Sequence, residues 1–254
     1  MIIAANWKMN LMHDEAKHLS LALKELASKA PHTAVDIVIF PPALYAALVN
    51  EVTDISALSW GGQASHRQDQ GAHTGDISAA MFASAGAKWQ LAGHSERRTD
   101  HSESDDDIAR QVQAGQKAGL HVMLCVGETL AQREAGNAIN IVTNQISSAL
   151  ADDVDFAKLA IAYEPVWAIG TGKVAAPEDV AEMHQAIAAH LAALRSGKEE
   201  GRPAILYGGS VKAANAAALF ALPYVDGALV GGASLKISEF APIVQAAQML
   251  VDAK

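Results

Sequence analysis

The chain has 254 residues, half of them hydrophobic, and a formal net charge of −9. A chain of this length buries a large core, and the length alone is compatible with one large domain or two small ones. The negative charge argues against a general nucleic-acid or anionic-membrane surface, because both need clustered Lys and Arg, although a few positive groups in a cleft can still bind a small anionic substrate.

The cysteine content and the first residues bear on the compartment. A single cysteine, Cys125, cannot form an intrachain disulfide and fits a reducing environment. The opening residues, MIIAANWKMN, lack the basic and long apolar regions of a signal peptide, and no apolar run approaches the ~18 residues that a membrane helix needs. We therefore expect a cytoplasmic protein.

Short apolar runs rich in Ile, Val and Leu predict buried strands, and they recur evenly along the chain. In chain order the predicted strands are 2–6, 35–40, 55–60, 89–93, 121–126, 159–163, 203–207 and 226–231. Between them, segments such as 14–30 and 177–197 repeat Ala and Leu at three- and four-residue spacing, which predicts amphipathic helices. Eight βα units without a dividing linker predict a single (β/α)8 barrel domain over residues 1–254. A doubly wound sheet is the alternative, but it usually has fewer strands and often splits into halves.

Polar side chains follow several of the predicted strands. Asn6 and Lys8 follow the first strand, His94 the fourth, Glu164 the sixth and Ser210 the seventh. In a parallel barrel the C-terminal ends of all strands open onto one rim, where barrel enzymes build their active sites. Ordinary turns are the alternative, since Gly, Asn and Ser also serve local backbone geometry. The recurrence of such residues on one rim favours an active site.

Two glycine-rich segments, YGGSV (207–211) and LVGGAS (229–234), lie between a predicted strand and a helical segment. Small residues at this point expose backbone N–H groups at a helix start, an arrangement that binds phosphate. The last two strands of a barrel are the usual place for such a site. These features require no metal or cofactor.

The segment AYEPVWAIGTGKVA (162–175) resembles a nucleotide-binding loop only in part. That motif needs a glycine five residues before its Gly-Lys pair and Ser or Thr directly after it, and Trp167 and Val174 occupy those positions. The segment is therefore either a strand-to-helix connection or a lid over a bound molecule.

Five motifs together resemble the triosephosphate isomerase family, in its order and spacing over nearly the whole chain. They are AANWKMN, GHSERR, AYEPVWAIGTGK, YGGSV and VGGASLK. The resemblance implies a TIM barrel that assembles as a homodimer and uses no cofactor. It implies the interconversion of dihydroxyacetone phosphate and D-glyceraldehyde 3-phosphate through an enediolate, in glycolysis and gluconeogenesis. It also implies that residues 165–175 form a mobile lid.

The same resemblance assigns roles to individual residues. It implies that Glu164 is the catalytic base, that His94 is a neutral electrophile and that Lys8 supplies fixed positive charge. Glu96 is expected to hold Lys8 or Arg98 in place. The implied substrate-binding positions are Asn6, Lys8, Gly170, Ser210, Gly231 and Gly232.

The long polar segment 61–78, GGQASHRQDQGAHTGDIS, suggests functional or interface use. In the family the corresponding loop inserts into the neighbouring subunit, which implies that Thr74 approaches the partner's site. Ala64 stands where many family members have Asn, so part of the hydrogen bonding of the loop is expected to differ.

Other features have simpler interpretations. His101 and residues 105–107 could bind a metal, but acids in the first turn of a helix explain them better. The ten histidines show no established metal-ligand spacing, so no metal site is predicted. Cys125 lies in an apolar strand and is expected to pack in the core.

Two other functions remain as alternatives. A Schiff-base aldolase would need a lysine inside a strand, and Lys8 and Lys158 lie outside the strand interiors. A barrel that only binds phosphometabolites would need neither base, electrophile nor lid. A coupled isomerase assay separates these cases.

Overall fold

The computed structural model describes residues 1–29, 35–53, 58–168, 175–195 and 201–253. Within them, eight parallel strands form a closed barrel in sequence order, and the first strand pairs with both the second and the eighth. The strands are Ile2–Asn6 (β1), Asp36–Phe40 (β2), Leu58–Gly62 (β3), Trp89–Ala92 (β4), His121–Val126 (β5), Leu159–Tyr163 (β6), Ala204–Tyr207 (β7) and Gly227–Val230 (β8). The predicted (β/α)8 barrel is confirmed.

Helices connect the strands around the outside of the barrel. The α-helices of the described residues are His13–Ser28 (α1), Ala46–Val52 (α2), Ala79–Ser84 (α3), Ser95–Asp100 (α4), Asp105–Lys117 (α5), Leu130–Glu134 (α6), Ala138–Ala149 (α7), Pro177–Leu194 (α8), Ala213–Phe220 (α9) and Ile237–Asp252 (α10). Short 3-10 turns occupy Ala43–Tyr45, Phe156–Lys158, Val166–Ala168 and Gly232–Leu235. None of these helices combines the length and the apolar composition needed to cross a bilayer.

The third strand differs from its prediction. It was expected at 55–60, but residues 54–57 lie outside the described part, and the strand continues to Gly62. A pair of glycines suggests a turn when only the sequence is known. Here it allows β3 to pack closely against its neighbours. A Cβ on Gly61 would lie 2.4 Å from the carbonyl oxygen of Trp89, and one on Gly62 would lie 2.5 Å from the ring of Phe82. Both positions therefore need the absence of a side chain to bring β3 against β4 and α3.

The core has two layers, because successive side chains of a strand point to opposite faces. In β1, Ile3 and Ala5 pack outward against the helices, whereas Ala4 points into the barrel. Cys125 also lies in the barrel interior and is fully buried. Burial raises the pKa of its thiol well above the usual value, so the group packs as a protonated, unreactive thiol.

The acids in the first turn of α5 belong to a helix start, as predicted. The side chain of Ser104 accepts a hydrogen bond from the backbone N–H of Asp107, and the carboxylate of Asp107 accepts one from the backbone N–H of Ser104. This reciprocal capping box satisfies two amide groups at the helix terminus and explains the local sequence without a metal.

Candidate active site

One cavity of about 660 Å³ opens at the C-terminal rim of the barrel. The predicted site residues that line it are Asn6, Lys8, His94, Glu96, Glu164, Ser210, Gly231 and Gly232. Gly170 and residues 169–174 of the predicted lid lie outside the described residues. Thr74 is exposed in the loop between β3 and α3 and does not line this cavity. The strand ends thus bring together side chains that are far apart in sequence.

Glu164 follows β6 and is 2% exposed. Its Oε2 accepts a hydrogen bond from the backbone N–H of Ser95 at 3.0 Å, and its Oε1 lies 3.1 Å from Nε2 of His94. Ser95 is the first residue of α4, where the helix dipole favours a negative charge. The carboxylate is therefore held by contacts that come from a different strand end.

Glycines allow the neighbouring strands to approach Glu164. A Cβ on Gly127 would lie 1.7 Å from the carbonyl oxygen of Glu164, and one on Gly208 would lie 2.8 Å from its Cγ. The backbone N–H of Glu164 donates to the carbonyl oxygen of Val126 at 2.7 Å. The position of the carboxylate thus depends on close backbone packing with β5 and β7.

His94 is the N-cap residue of α4 and is 5% exposed. Its Nδ1 accepts a hydrogen bond from the backbone N–H of Glu96 at 3.2 Å. The accepting nitrogen must carry the lone pair, so the ring proton lies on Nε2, which faces Glu164. This tautomer can donate a hydrogen bond to an oxygen atom in the cavity.

Lys8 carries a positive charge into the cavity from an unusual backbone conformation. Its φ is +52°, in the left-handed region that non-glycine residues rarely adopt. The backbone N–H of Lys8 donates to Oδ1 of Asn6 at 3.0 Å, and Nε2 of Gln63 donates to the carbonyl oxygens of Lys8 and Phe40, each at 2.9 Å. Its Nζ lies 2.5 Å from Oε1 of Glu96. These contacts fix both the backbone and the ammonium group.

The glycine-rich ends of β7 and β8 face the same cavity. A Cβ on Gly231 would lie 3.4 Å from Cε of Lys8, and nothing lies within 4 Å of the position where a Cβ of Gly232 would be. The side chain and the backbone N–H of Ser234 both donate to the carbonyl oxygen of Gly231, at 2.7 and 2.8 Å. A fixed backbone beside open space and a lysine suits an anionic group.

A second buried carboxylate, Glu128, was not found by sequence reasoning. Its Oε1 accepts hydrogen bonds from the hydroxyl of Tyr163 at 3.1 Å and from Nε1 of Trp167 at 2.8 Å, and Nη1 of Arg133 lies 3.4 Å away. Burial, and then the charge of Glu128, raise the pKa of Tyr163, which remains a donor. Arg133 also pairs with Asp179. The polar stretch that contains Glu128 has no spacing that distinguishes it from an ordinary turn.

Comparisons with known proteins agree on one family. A family model described as triosephosphate isomerase matches residues 1–247. The chain is 46% identical over 246 residues to a triosephosphate isomerase from Ruegeria sp. (strain TM1040), covering 96% of this chain and 97% of the relative. It is 47% identical over 246 residues to one from Xanthobacter flavus, covering 96% of each. The crystal structure of triosephosphate isomerase from Bartonella henselae matches with a TM-score of 0.85 and 38% identity, over 97% of this chain and 98% of that one.

Proposed function

The chain belongs to the triosephosphate isomerase family and is an isomerase that interconverts dihydroxyacetone phosphate and D-glyceraldehyde 3-phosphate, and we propose that Glu164, His94 and Lys8 carry out this reaction. The observation that supports these roles is the meeting of Glu164 and His94, 3.1 Å apart in one cavity that also contains Lys8. The family resemblance inferred from the sequence motifs is confirmed.

Glu164 is the proposed base. It removes a proton from the carbon next to the substrate carbonyl and delivers it to the former carbonyl carbon. One proton also passes from the substrate hydroxyl oxygen to the former carbonyl oxygen, so the overall reaction is an isomerisation with no net gain or loss of protons. Its burial keeps water from the carboxylate, and the cavity leaves one side of it open to substrate. Base catalysis of this kind contributes typically ~10²–10⁴-fold in rate.

His94 is the proposed electrophile. Because Nδ1 is occupied by the backbone N–H of Glu96, Nε2 carries the proton, and the substrate carbonyl oxygen would replace Glu164 as its acceptor. A hydrogen bond at that atom stabilises the negative charge of the enediolate. In the structure Nε2 faces Glu164, so substrate would enter between the two side chains.

Lys8 and the glycine-rich segments are the proposed binding groups for the substrate phosphate and the developing oxyanion. Lys8 would supply charge, and the backbone N–H groups of Ser210, Gly231 and Gly232 would bind phosphate oxygens. Asn6 supports Lys8 through its bond to the backbone, and Glu96 through its contact with Nζ. Gly170 and the lid at 165–175 are proposed from the family resemblance alone, with the lid excluding water from the enediolate.

A homodimer is the proposed assembly. Several large apolar side chains are exposed, and such exposure is typical of an interface. They are Met9 (95%), Leu44 (83%), Met12 (73%) and Met81 (53%). The segments that carry Met9, Met12 and Leu44 are tied together, since the hydroxyl of Tyr45 donates to the carbonyl oxygen of Leu11 at 2.9 Å. Gln63, at the start of the loop after β3, donates to the carbonyl oxygen of Lys8. Sedimentation should give twice the 26.6 kDa chain mass, and a monomer at micromolar concentration would contradict the proposal.

A cytoplasmic location is also proposed. Its support is the single cysteine, which is buried and cannot form an intrachain disulfide.

The catalytic roles are tested by converting glyceraldehyde 3-phosphate in a coupled assay with purified protein and with the variant Glu164→Asp. Shortening the side chain withdraws the carboxylate by about 1 Å, and a displacement of that size can cost ~10²-fold in rate. Near-normal turnover in Glu164→Asp would remove Glu164 from the role of base. Full activity in the variant Lys8→Met would likewise remove Lys8 from substrate binding.

A further inference from the structure

A cluster of possible metal ligands lies outside the active site, in the loop 63–78 between β3 and α3. Within the described residues, this is the one group of three His, Cys, Asp or Glu side chains whose donor atoms lie within 4.8 Å of one another. It consists of His66, His73 and Asp76. Nε2 of His66 lies 3.8 Å from Oδ2 of Asp76, and the two imidazole rings have centroids 4.0 Å apart. We propose that these three side chains bind one divalent transition-metal ion of the zinc type.

The donor set fits such an ion. Two imidazoles and one carboxylate match the ligands of zinc sites that keep a fourth position open. Imidazole nitrogen suits zinc, cobalt and nickel, whereas magnesium and calcium prefer oxygen ligands. Zn–N and Zn–O distances of about 2.0–2.2 Å with tetrahedral angles require donor atoms roughly 3.3 Å apart. The 3.8 Å gap between His66 and Asp76 therefore needs to close only slightly.

Gln68 contacts both rings, and it favours metal binding at His73 but not at His66. Nε2 of His73 lies 2.6 Å from Oε1 of Gln68, which can only accept, so His73 carries its proton on Nε2 and has the lone pair on Nδ1. A metal-binding histidine usually has such a partner for its other nitrogen. The backbone N–H of Gln68 donates to Nδ1 of His66 at 3.1 Å. Metal binding at Nε2 of His66 therefore moves that ring's proton to Nδ1 and breaks one hydrogen bond.

The adjoining cavity supplies an independent observation. It has a volume of about 400 Å³, and its lining includes His66, Asp76, Ser65 and Gln111. Ser65 and Gln111 are 6% and 5% exposed, and the Oγ of the first and the Oε1 of the second have no hydrogen-bond partner among the described residues. Buried polar atoms are nearly always hydrogen-bonded. A water molecule bound at the open position of the metal would bring a hydrogen-bond donor to the cavity that contains Ser65 and Gln111.

The neighbouring charges do not oppose a cation. Arg67 pairs with Asp107, and Nη2 of Arg97 lies 2.7 Å from Oε1 of Glu103. Both arginines line the cavity but are already paired with carboxylates. The remaining cavity histidine, His101, is not part of the cluster.

This site lies outside the cavity proposed for the isomerase reaction. It lies in the loop proposed to meet the partner subunit, so binding is measured on the assembled protein. The protein is stripped with a chelator and titrated with Zn²⁺ by calorimetry, with Co²⁺ absorption as a second signal and Mg²⁺ as a negative control. The variants are His73→Gln, which removes a ligand, and His13→Gln, which removes an exposed imidazole 3.2 Å from Asp14 that has no third donor.

We expect one Zn²⁺ per chain, no binding of Mg²⁺, and an unchanged affinity in His13→Gln. His73→Gln should bind Zn²⁺ at least about tenfold more weakly, because even the outer partners of metal ligands change affinity by ~10–100-fold. Equal affinity in His73→Gln and the parent protein, or no stoichiometric binding by the parent, would overturn the site. If His73→Gln does not fold, Asp76→Asn provides the same comparison.

Discussion

Two buried carboxylates follow neighbouring strands, and their surroundings differ in kind. Glu128 follows β5 and is 0% exposed, whereas Glu164 follows β6 and is 2% exposed. Glu128 is enclosed by a phenol, an indole and a guanidinium that belong to the framework. Glu164 contacts one backbone N–H and one imidazole, and it lines the large cavity. Burial alone therefore does not distinguish the proposed base from a framework carboxylate; the open cavity beside Glu164 does.

The variant Glu164→Gln should produce the largest effect. It keeps the shape of the side chain but removes the base, so kcat should fall by ~10²–10⁴-fold or more. The thermal midpoint should change little, because the amide can still accept from Ser95. Steady-state kinetics and thermal unfolding of the same preparation measure both quantities. A variant that retains most of its activity would mean that Glu164 resembles Glu128 in role.

Two buried histidines show the same contrast, since His94 lines the large cavity and His184 does not. His184 is 0% exposed, and its Nδ1 lies 3.0 Å from the carbonyl oxygen of Tyr224. Burial lowers the pKa of His184 from 6.5 to about 4. The folded protein therefore binds this proton less readily than the unfolded chain does. The contribution of His184 to the free energy of unfolding is fully present above about pH 6.5 and is lost as the pH falls towards 4.

This loss should be on the order of 3 kcal/mol, since each unit of pKa difference corresponds to about 1.4 kcal/mol. Urea unfolding between pH 7 and pH 4 measures it. The variant His184→Gln should lose less stability across that range than the parent protein, while the exposed control His18→Gln should behave like the parent. Identical pH dependence in His184→Gln and the parent would assign the acid sensitivity to other groups.

The variant Glu128→Gln should change turnover much less than Glu164→Gln does. It should, however, lower the stability clearly. Replacing the carboxylate weakens its hydrogen bonds from Tyr163 and Trp167 and removes one partner of Arg133. Hydrogen bonds to charged groups are worth about 1.5–3 kcal/mol, so the free energy of unfolding should fall by a similar amount.

The exposed carboxylate Glu182 on α8 offers a matched control for Glu128→Gln. Glu182→Gln should stay within ~0.5 kcal/mol of the parent protein in urea unfolding. If Glu128→Gln were equally silent, or if it abolished turnover at full stability, the framework role of Glu128 would be wrong.

Much of the fold could be predicted because strand and helix leave different periodicities in the sequence. Apolar runs located seven of the eight strands to within one residue at each end, and the start of α8 at Pro177 followed from the proline and the acids behind it. The third strand was misplaced because Gly61 and Gly62 suggest a turn until their contacts with Trp89 and Phe82 are known. Close packing of backbone is a property of two elements, and one segment of sequence does not contain it.

The candidate active site was predictable for a related reason. Its side chains follow strand ends, and the topology of a parallel barrel places all such ends on one rim. The network around Glu128 and the His66–His73–Asp76 cluster have no such rule behind them. The two histidines and the aspartate meet because the loop 63–78 folds back on itself, and their spacing in sequence matches no regular element. Such groups become visible only when the loop conformation is known.

The backbone at Lys8 has one more consequence. A left-handed conformation costs a residue with a side chain roughly 1–2 kcal/mol, and glycine is nearly free of that cost. Stability alone would favour glycine at this position, but glycine has no ammonium group. The chain therefore gives up folding free energy at one residue to keep a cation at a fixed point. A Lys8→Gly protein should be an inactive barrel that is harder to unfold.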